Sequence, residues 1–290
     1  MTIIKAILLG LIQGLTEFIP ISSTAHLTIA GHLLNVIDPN HPEDWTAFIA
    51  VIQLGTLLAV IIYFRGEIIG IIRGFVTANL GILKKRPITK TDKQNAWLGW
   101  LVIIGTLPVA VFGLALKRII EGPFTKDLRV ITFGVIFVAI LLIVAEIVGK
   151  QKRDLETIKS GDAIAVGVAQ VFALIPGFSR SGSTICGGLF SGLTREAAAR
   201  FSFLLSIPAI AASGLLELPK ALRPDHQIAQ GYWLSLGVAT VVAGLSGYLS
   251  IAFLLNYLKR HTTYLFVGYR LALGLLLIAL LLAGRLTAQG

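Results

Sequence analysis

The chain is poor in charged residues and in cysteine. Only 14% of its 290 residues are charged, against about 25% in an average soluble domain, whereas 55% are hydrophobic. The single cysteine, Cys186, excludes an intrachain disulfide and a cysteine-rich metal site. This composition excludes an ordinary soluble domain and predicts an integral membrane protein.

The few charges are unbalanced, with 25 Lys and Arg against 15 Asp and Glu. In a soluble protein this excess would suggest a nucleic-acid partner, but here the basic residues gather between apolar segments, where they fix topology. Three predicted cytoplasmic loops hold 13 of the 25 basic residues, and three predicted outer loops hold five. The former are residues 65–94, 149–161 and 258–262, and the latter are residues 35–44, 117–127 and 219–230. No nucleic-acid partner is predicted.

Six apolar segments are long enough to cross a bilayer as helices, which takes about 20 residues. They are residues 45–64, 95–116, 128–148, 201–218, 232–257 and 264–283. An interfacial helix is predicted within residues 65–82. Two further apolar segments, residues 6–34 and 163–193, are interrupted by Pro20 and Pro176. We interpret each as a re-entrant helix hairpin, because non-helical backbone at membrane depth must be buried in protein or line a cavity.

The two interrupted segments resemble each other. AILLGLIQGLTEFIPISST aligns with AIAVGVAQVFALIPGFSRS, so that Gln13 matches Gln170. Each half of the chain, about 1–150 and about 160–290, then holds one hairpin and three spans, and an odd number of spans inverts the second half. The predicted fold is an all-α polytopic membrane protein, a single domain over residues 1–290. It consists of two inverted-topology repeats with a site at their interface.

The first hairpin carries polar groups that are costly at membrane depth. In QGLTEFIPISSTAHL, Gln13 and Glu17 are four residues apart and share a helix face. The hydroxyls of ISST lie at the start of a second helix, whose free N–H groups suit a phosphate. Ser22 and Ser23 lie four and three residues before His26, so either hydroxyl can lie on the face of the imidazole.

The second hairpin contains PGFSRSGST, a proline break followed by hydroxyls around Arg180. Arginine offers a permanent, fork-shaped set of donors that suits phosphate. The two clusters together predict a phosphoryl-transfer site, in which a hydroxyl attacks or positions and a His or Glu moves the proton. The predicted catalytic residues are Glu17, Ser23, His26 and Arg180. The predicted phosphate ligands are Ser22, Thr24, Ser179, Ser181, Ser183 and Thr184.

Each of these residues also has a structural interpretation. Ser22 and Ser23 can act as helix caps, and we expect one of them to do so. The small hydroxyl residues of the second hairpin can instead pack helices together. Arg270, within the last span, is predicted to snorkel or to form a structural pair.

QGLTEFIPISSTAHL together with PGFSRSGST closely resembles the two signatures of the bacterial undecaprenyl-diphosphate phosphatase family, also known as bacitracin-resistance proteins. The resemblance covers the whole chain. It implies an enzyme that hydrolyses undecaprenyl diphosphate to undecaprenyl phosphate and inorganic phosphate. This reaction recycles the lipid carrier for cell-wall synthesis and confers bacitracin resistance. The resemblance also implies a multi-pass protein of the bacterial plasma membrane, with an active site that opens to the outer face.

The resemblance further implies a divalent cation, Mg²⁺ or Ca²⁺. It carries catalytic roles onto Glu17, Ser22, Ser23, His26, Ser179, Arg180 and Thr184. Many relatives have glutamate where this chain has Gln13, which can offer an oxygen to a metal or phosphate but cannot act as a base. We expect Glu17 and Gln13 to hold the cation. Ser23 assisted by His26 is the predicted nucleophile, and water activated by His26 or Glu17 is the alternative.

A secondary transporter or lipid flippase for an anionic or phosphorylated lipid is the rival hypothesis, because inverted repeats with broken helices are also transporter architecture. The combination of Ser-x-x-His, Glu and Arg favours the enzyme, since a carrier for anions does not need it. The predicted partners are the polyprenyl diphosphate lipid and the membrane lipids, and monomer and homodimer both remain open. We expect the N-terminal segment to be retained, because cleavage would remove the polar cluster.

Overall fold

The computed structural model describes residues 1–37, 42–80, 88–120, 127–221 and 231–284. Within these ranges the protein is helical, apart from turns and one isolated β-bridge between Arg153 and Leu193. The helices are α1 (Ile3–Phe18), α2 (Ser23–Leu33), α3 (Pro42–Tyr63), α4 (Arg65–Leu80), α5 (Lys90–Ala115), α6 (Lys117–Ile120), α7 (Leu128–Val148), α8 (Ser160–Val171), α9 (Arg180–Phe190), α10 (Arg195–Ala221), α11 (Tyr232–Leu258) and α12 (Tyr264–Leu282).

Six helices among the described residues are long and apolar enough to cross a membrane. They are Asp44–Tyr63 within α3, Lys90–Ala115, Leu128–Val148, Arg195–Pro219 within α10, Tyr232–Leu258 and Tyr264–Leu282. This confirms the six predicted spans, of which residues 128–148 coincide with α7. The protein is a multi-pass, all-α membrane protein.

Three spans extend by more than one residue into segments that the sequence assigned to loops. Helix α3 begins at Pro42, inside the predicted loop 35–44. Helix α5 begins at Lys90, earlier than predicted, because Thr89 and Asp92 form a reciprocal capping box. The Thr89 Oγ1 accepts from the Asp92 N–H, and Asp92 Oδ2 accepts from the Thr89 N–H, both at 3.1 Å. Helix α10 continues to Ala221, so the prediction of a loop from residue 219 is wrong at its start. Proline is tolerated within such a membrane helix, and Pro219 lies inside it.

The helix predicted within residues 65–82 is present as α4, which packs against α5. Its interfacial location stays a prediction. Residues 38–41, 81–87, 121–126 and 222–230 belong to predicted loops and lie outside the described residues. The distribution of loop charge across the membrane therefore also stays a prediction.

The chain breaks at both of the predicted prolines. Ile19 and Ile175, each the residue before a proline, are extended, with ψ of 134° and 120°. Proline disfavours the α conformation in the residue that precedes it. Gly177 follows the second proline with φ of +90°, and a Cβ there would lie 2.1 Å from the Ile131 carbonyl oxygen, so only glycine fits. Helices α1 and α2 form one hairpin around the first break, and α8 and α9 form another around the second.

The two ends of each hairpin are tied together. Lys5 Nζ, near the start of α1, donates to the Leu34 carbonyl at the end of α2 at 2.6 Å. Arg153 Nη1 donates to Asp162 Oδ1 near the start of α8 and to the Ser191 carbonyl at the end of α9, both at 3.0 Å. The hydrogen bond to the Asp162 carboxylate raises the pKa of Arg153. The first and last residues of each hairpin therefore lie close together, and its break lies at the opposite end.

Glycines bring each hairpin against a long helix from the opposite half of the sequence. Helix α1 packs on α11, where a Cβ on Gly14 would lie 2.4 Å from the Ala243 carbonyl oxygen. Helix α8 packs on α5, where a Cβ on Gly167 would lie 2.3 Å from the Gly105 carbonyl oxygen. Small residues allow backbones to approach this closely inside membranes. These contacts fix the positions of the two hairpins, which carry the predicted site.

Candidate active site

The breaks of the two hairpins meet through an ion pair between Glu17 and Arg180. Glu17 Oε1 accepts a hydrogen bond from Arg180 Nη2 at 2.8 Å. The side chains are only 5% and 13% exposed, respectively. Glu17 lies in the last turn of α1 and Arg180 is the first residue of α9. The structure thus brings together the two clusters that the sequence analysis selected separately.

The other carboxylate oxygen of Glu17 accepts two more hydrogen bonds. Ser23 Oγ donates to Glu17 Oε2 at 2.7 Å, and Gln13 Nε2 donates to the same oxygen at 2.9 Å. Gln13 and Glu17 share a face of α1, as their spacing predicts, and Ser23 is the first residue of α2. Three donors from three elements hold this carboxylate in one orientation.

Ser22 and Ser179 are the N-cap residues of the helices that follow the two breaks. Ser22 Oγ accepts from the Ala25 N–H at 3.4 Å, and Ser179 Oγ accepts from the Gly182 N–H at 3.2 Å. Both serines have positive φ, 77° and 62°, and such backbone costs a non-glycine residue about 1–3 kcal/mol. Ser22 is therefore the capping serine expected from the sequence, and the neighbouring Ser23 hydroxyl is directed at Glu17.

His26 lies near the start of α2, and its ring nitrogens bond to groups outside the ion pair. Nδ1 is 2.7 Å from the Ser22 carbonyl oxygen, and Nε2 is 2.6 Å from the Tyr269 hydroxyl oxygen. Because the carbonyl only accepts, Nδ1 carries the proton and Nε2 accepts from the tyrosine. The predicted contact between His26 and a serine hydroxyl is therefore replaced by a carbonyl contact, and the Ser23 hydroxyl bonds to Glu17. Sequence reasoning missed Tyr269, which is 243 residues away from His26.

Ser181, Ser183 and Thr184 direct their hydroxyls at backbone carbonyls. The bonds run from Ser181 Oγ to the Ile19 oxygen (3.3 Å), from Ser183 Oγ to the Phe178 oxygen (3.3 Å) and from Thr184 Oγ1 to the Arg180 oxygen (2.7 Å). The Ser181 bond crosses from the second hairpin to the first. These three residues are not part of the lining of the cavity described next, whereas Thr24 and Ser179 line it.

A cavity of about 200 Å³ opens beside the ion pair. Its polar lining consists of Glu17, Ser23, Thr24, Gln53, Gln170, Ser179, Arg180 and Ser213. Its apolar lining consists of Val109, Ala173, Leu174, Ile175, Gly177, Ala209 and Ile210. Both hairpins and three of the long helices thus form its wall. The arrangement suits a small polar head group attached to an apolar chain.

Arg270 joins both breaks, which the sequence analysis did not predict. It is fully buried, so snorkelling is the wrong interpretation for this residue. Its guanidinium donates to four backbone carbonyls, those of Pro20 (3.2 Å), Gly134 (3.0 Å), Val135 (2.9 Å) and Gly177 (2.9 Å). Carbonyls at a helix break lack helical partners, and at membrane depth they need a donor from the protein. Arg270 supplies that donor to both turns at once.

Nearly the whole chain matches one known protein family. Residues 6–276 match the family model described as Bacitracin resistance protein BacA. The chain belongs to the BacA family. This confirms the family that the two signature segments predicted.

Curated proteins similar to this BacA-family chain are named undecaprenyl-diphosphatase. The one from Syntrophobacter fumaroxidans is 54% identical over 274 residues, which cover 94% of this chain and 95% of that protein. The one from Chloroherpeton thalassium is 47% identical over 295 residues, which cover 99% of this chain and 100% of that protein. The one from Chlorobaculum tepidum is 47% identical over 293 residues, which cover 99% of each chain.

The described part of the BacA-family chain contains no group of three or more His, Cys, Asp or Glu that could hold a metal ion by itself. Oxygen ligands are nevertheless present at Glu17 and Gln13. Gln13 Oε1 is buried and has no hydrogen-bond partner among the described residues. An unpartnered amide oxygen next to a carboxylate fits Mg²⁺ or Ca²⁺, both of which prefer oxygen ligands. Mg²⁺ usually takes several of its ligands from water and substrate phosphates, so it needs few oxygen ligands from the protein.

Proposed function

We propose that this protein is an undecaprenyl-diphosphatase, which hydrolyses undecaprenyl diphosphate to undecaprenyl phosphate and inorganic phosphate. The observation that carries the proposal is the Glu17–Arg180 contact, which assembles a carboxylate, a serine hydroxyl and a guanidinium beside one cavity. Relatives named for this activity match the chain over nearly their whole length. The reaction returns the lipid carrier to cell-wall synthesis, and the family's name is consistent with a role in bacitracin resistance.

We infer that the fold consists of two inverted repeats, about 1–150 and about 160–290, each with a re-entrant hairpin and three spans. The tied ends of the two hairpins support re-entry, because a segment that enters and leaves at one place does not cross the membrane. The first helix of each hairpin packs on a long helix of the other half, α1 on α11 and α8 on α5, which supports two related repeats. So does the recurrence of a serine cap with positive φ after both breaks.

The terminal phosphate of the substrate is proposed to bind in the cavity between the hairpins. Arg180 Nη2 is occupied by Glu17, but Nη1 is buried without a partner among the described residues. Its N–H groups can therefore donate to phosphate oxygens. Thr24 and Ser179 offer hydroxyls in the same wall. The polyprenyl chain remains in lipid, next to the apolar lining of the cavity.

Ser23 is proposed as the nucleophile, with Glu17 as the acceptor of its proton. The Ser23 hydroxyl already donates to Glu17, which leaves the lone pairs of its oxygen free to attack phosphorus. Attack forms an Oγ–P bond, breaks the bond from the terminal phosphorus to the bridging oxygen and releases undecaprenyl phosphate. Water then attacks the same phosphorus and breaks the Oγ–P bond, the Ser23 oxygen regains the proton held by Glu17, and orthophosphate leaves. Arg180 stabilises the negative charge on the transferred group.

Direct attack by water is the alternative route to the same products. Glu17 lines the cavity and can accept a proton from water. If His26 is the base instead, it accepts that proton on Nε2, the nitrogen that accepts a hydrogen bond from Tyr269 in this structure. This route forms no bond between Ser23 and phosphorus. The two routes therefore differ in whether a phosphoenzyme can be trapped.

A divalent cation, Mg²⁺ or Ca²⁺, is proposed to bind at Glu17 and at the unpartnered Oε1 of Gln13. Such an ion neutralises charge on the diphosphate when bound. Gln13 keeps its Nε2 on Glu17 and so holds its own oxygen beside the carboxylate. The role of the protein is to orient the Glu17 carboxylate and Gln13 Oε1 toward the cation.

The protein is proposed to lie in the bacterial plasma membrane with the cavity open to the outer face. The charge asymmetry of the loops supports this orientation, since 13 of the 25 Lys and Arg fall in the three loops assigned to the cytoplasm. In this orientation the ends of the first hairpin lie outside and those of the second lie inside.

The purified protein in detergent is expected to release orthophosphate from undecaprenyl diphosphate with Mg²⁺ or Ca²⁺ and not in EDTA. Ser23→Ala is expected to lower this rate by roughly 10³-fold or more, as loss of a nucleophile does in other hydrolases. Acid quenching of the wild type during turnover should trap phosphate on Ser23. The matched control is Thr132→Val, which removes a buried hydroxyl that donates within α7 to the Leu128 carbonyl, its one bond to the described residues.

A folded wild-type protein that releases no phosphate with either cation would contradict the proposal. Movement of intact lipid across liposomes by that protein would then identify a transporter. Rapid release by Ser23→Ala, in contrast, would retain the enzyme and assign the attack to water.

A further inference from the structure

Gln170 is a buried amide that forms no hydrogen bond with the described residues. Its residue is 1% exposed, and both Nε2 and Oε1 lack a partner. Buried polar groups are nearly always hydrogen bonded, so a wholly unpartnered amide at membrane depth calls for an explanation. It lies in the last turn of α8, and a short 3-10 helix, Phe172–Leu174, separates α8 from the second break.

Gln13 occupies the corresponding place in the first hairpin, and its environment differs. Gln13 Nε2 donates to Glu17, and only its Oε1 is unpartnered. The second hairpin has Leu174 and Ile175 before its proline and no carboxylate there, so Gln170 has no internal acceptor of that kind. The second hairpin therefore has a glutamine at the position of Gln13 but has no carboxylate for its amide to bond.

Gln170 lines the same cavity as Arg180, Glu17 and Ser23. Arg180 Nη1 is the other buried donor in this wall without a partner among the described residues. Two unpartnered donors beside one cavity match a ligand that presents several acceptor oxygens, as a diphosphate does. Glutamine rotates readily about its terminal torsion, so the amide can turn toward such a ligand.

We propose that Gln170 is a further substrate-binding residue, whose Nε2 donates to an oxygen of the diphosphate next to Arg180 Nη1. This inference rests on the proposed function and adds a contact from the second hairpin. The neutral amide adds a donor without adding charge, so it does not compete with Arg180 for the pairing to Glu17. No hydrogen bond among the described residues accounts for the burial of this amide.

The test uses Gln170→Met, which removes both polar atoms and keeps the length of the side chain. The variant is expected to lower kcat/KM for undecaprenyl diphosphate by roughly 10- to 100-fold, which is the effect of losing a hydrogen bond to a charged group. The orthophosphate concentration that half-maximally raises the unfolding temperature should increase by a similar factor. The unfolding temperature without phosphate should stay at or above that of the wild type, because an unpartnered amide is removed.

Gln170→Glu and Thr132→Val serve as companion variants. Gln170→Glu keeps an acceptor but loses both donors and places a negative charge near phosphate, so it should lose at least as much kcat/KM as Gln170→Met. Thr132→Val should match the wild type in both measurements.

Two results would overturn the inference. One is a Gln170→Met protein with wild-type kcat/KM and wild-type response to orthophosphate. The other is an unfolding temperature that falls in step with activity, which would make Gln170 a structural residue. If the wild type binds orthophosphate but hydrolyses no lipid, the proposed reaction fails, while the response of Gln170→Met to orthophosphate still decides the role of Gln170.

Discussion

Replacement of Arg180 by lysine is expected to reduce phosphate release from undecaprenyl diphosphate by about 10³-fold, within the range found for arginines that stabilise phosphoryl transfer. Arg180 uses Nη2 to hold Glu17, and its Nη1 has no partner among the residues that the structure describes, so it can donate to substrate. A lysine ammonium has one nitrogen, so it cannot bond to Glu17 and reach the substrate phosphate in the positions of the two guanidinium nitrogens. The rate should therefore fall even though the charge of the buried pair is kept.

The matched control for Arg180→Lys is Arg129→Lys, because Arg129 forms an ion pair with Asp127 and its side chain is 70% exposed. That substitution is expected to leave phosphate release unchanged, since exposed ion pairs contribute little. Both variants should elute as folded protein in size-exclusion chromatography. An Arg180→Lys enzyme within about tenfold of the wild-type rate would contradict a two-site role for this guanidinium.

Replacement of Arg270 by methionine is expected to lower both activity and stability, although Arg270 does not line the cavity. Its four hydrogen bonds fix the Pro20 and Gly177 carbonyls against α7. Small displacements of catalytic groups can cost about 10²-fold in rate, and we expect a loss of that size. Each buried carbonyl left without a donor costs about 1–3 kcal/mol, so the unfolding temperature should fall as well.

Arg270→Lys distinguishes positioning from general loss of folding. A lysine can reach only some of the four carbonyls, so its rate and unfolding temperature should fall between those of the wild type and the methionine variant. Rates are measured on the folded fraction alone. Because Arg270 acts by holding the breaks, the folded fraction should show a lower kcat. A folded Arg270→Met protein with wild-type kcat would show that the breaks hold their geometry without this residue.

The six spans and the two proline breaks were predictable because their signals are local. Hydropathy located the six spans, and Pro20 and Pro176 located the breaks, since proline restricts the residue before it. The ends of helices were less predictable where charged residues form caps. Thr89 and Asp92 extend α5 into a segment whose charge suggested a loop.

The candidate site was predictable in its residue types but not in its pairings. Spacing along one helix placed Gln13 beside Glu17, and the contact is present. The contact between Arg180 and Glu17 could be expected only from the sequence alignment of the two proline-broken segments. The contacts of His26 with Tyr269 and of Arg270 with four carbonyls depend on segments far apart in the chain. No local pattern encodes such contacts.

We infer that the two hairpins form one catalytic site through Glu17 and Arg180. A double-mutant cycle of phosphate release, with Glu17→Gln, Arg180→Gln and the double variant, tests it most directly. Residues that act as a unit lose most of their effect with the first substitution. We therefore predict that the double variant is no slower than the slower single variant. Losses that multiply in the double variant would show that the two residues act independently, and would contradict a site shared between the hairpins.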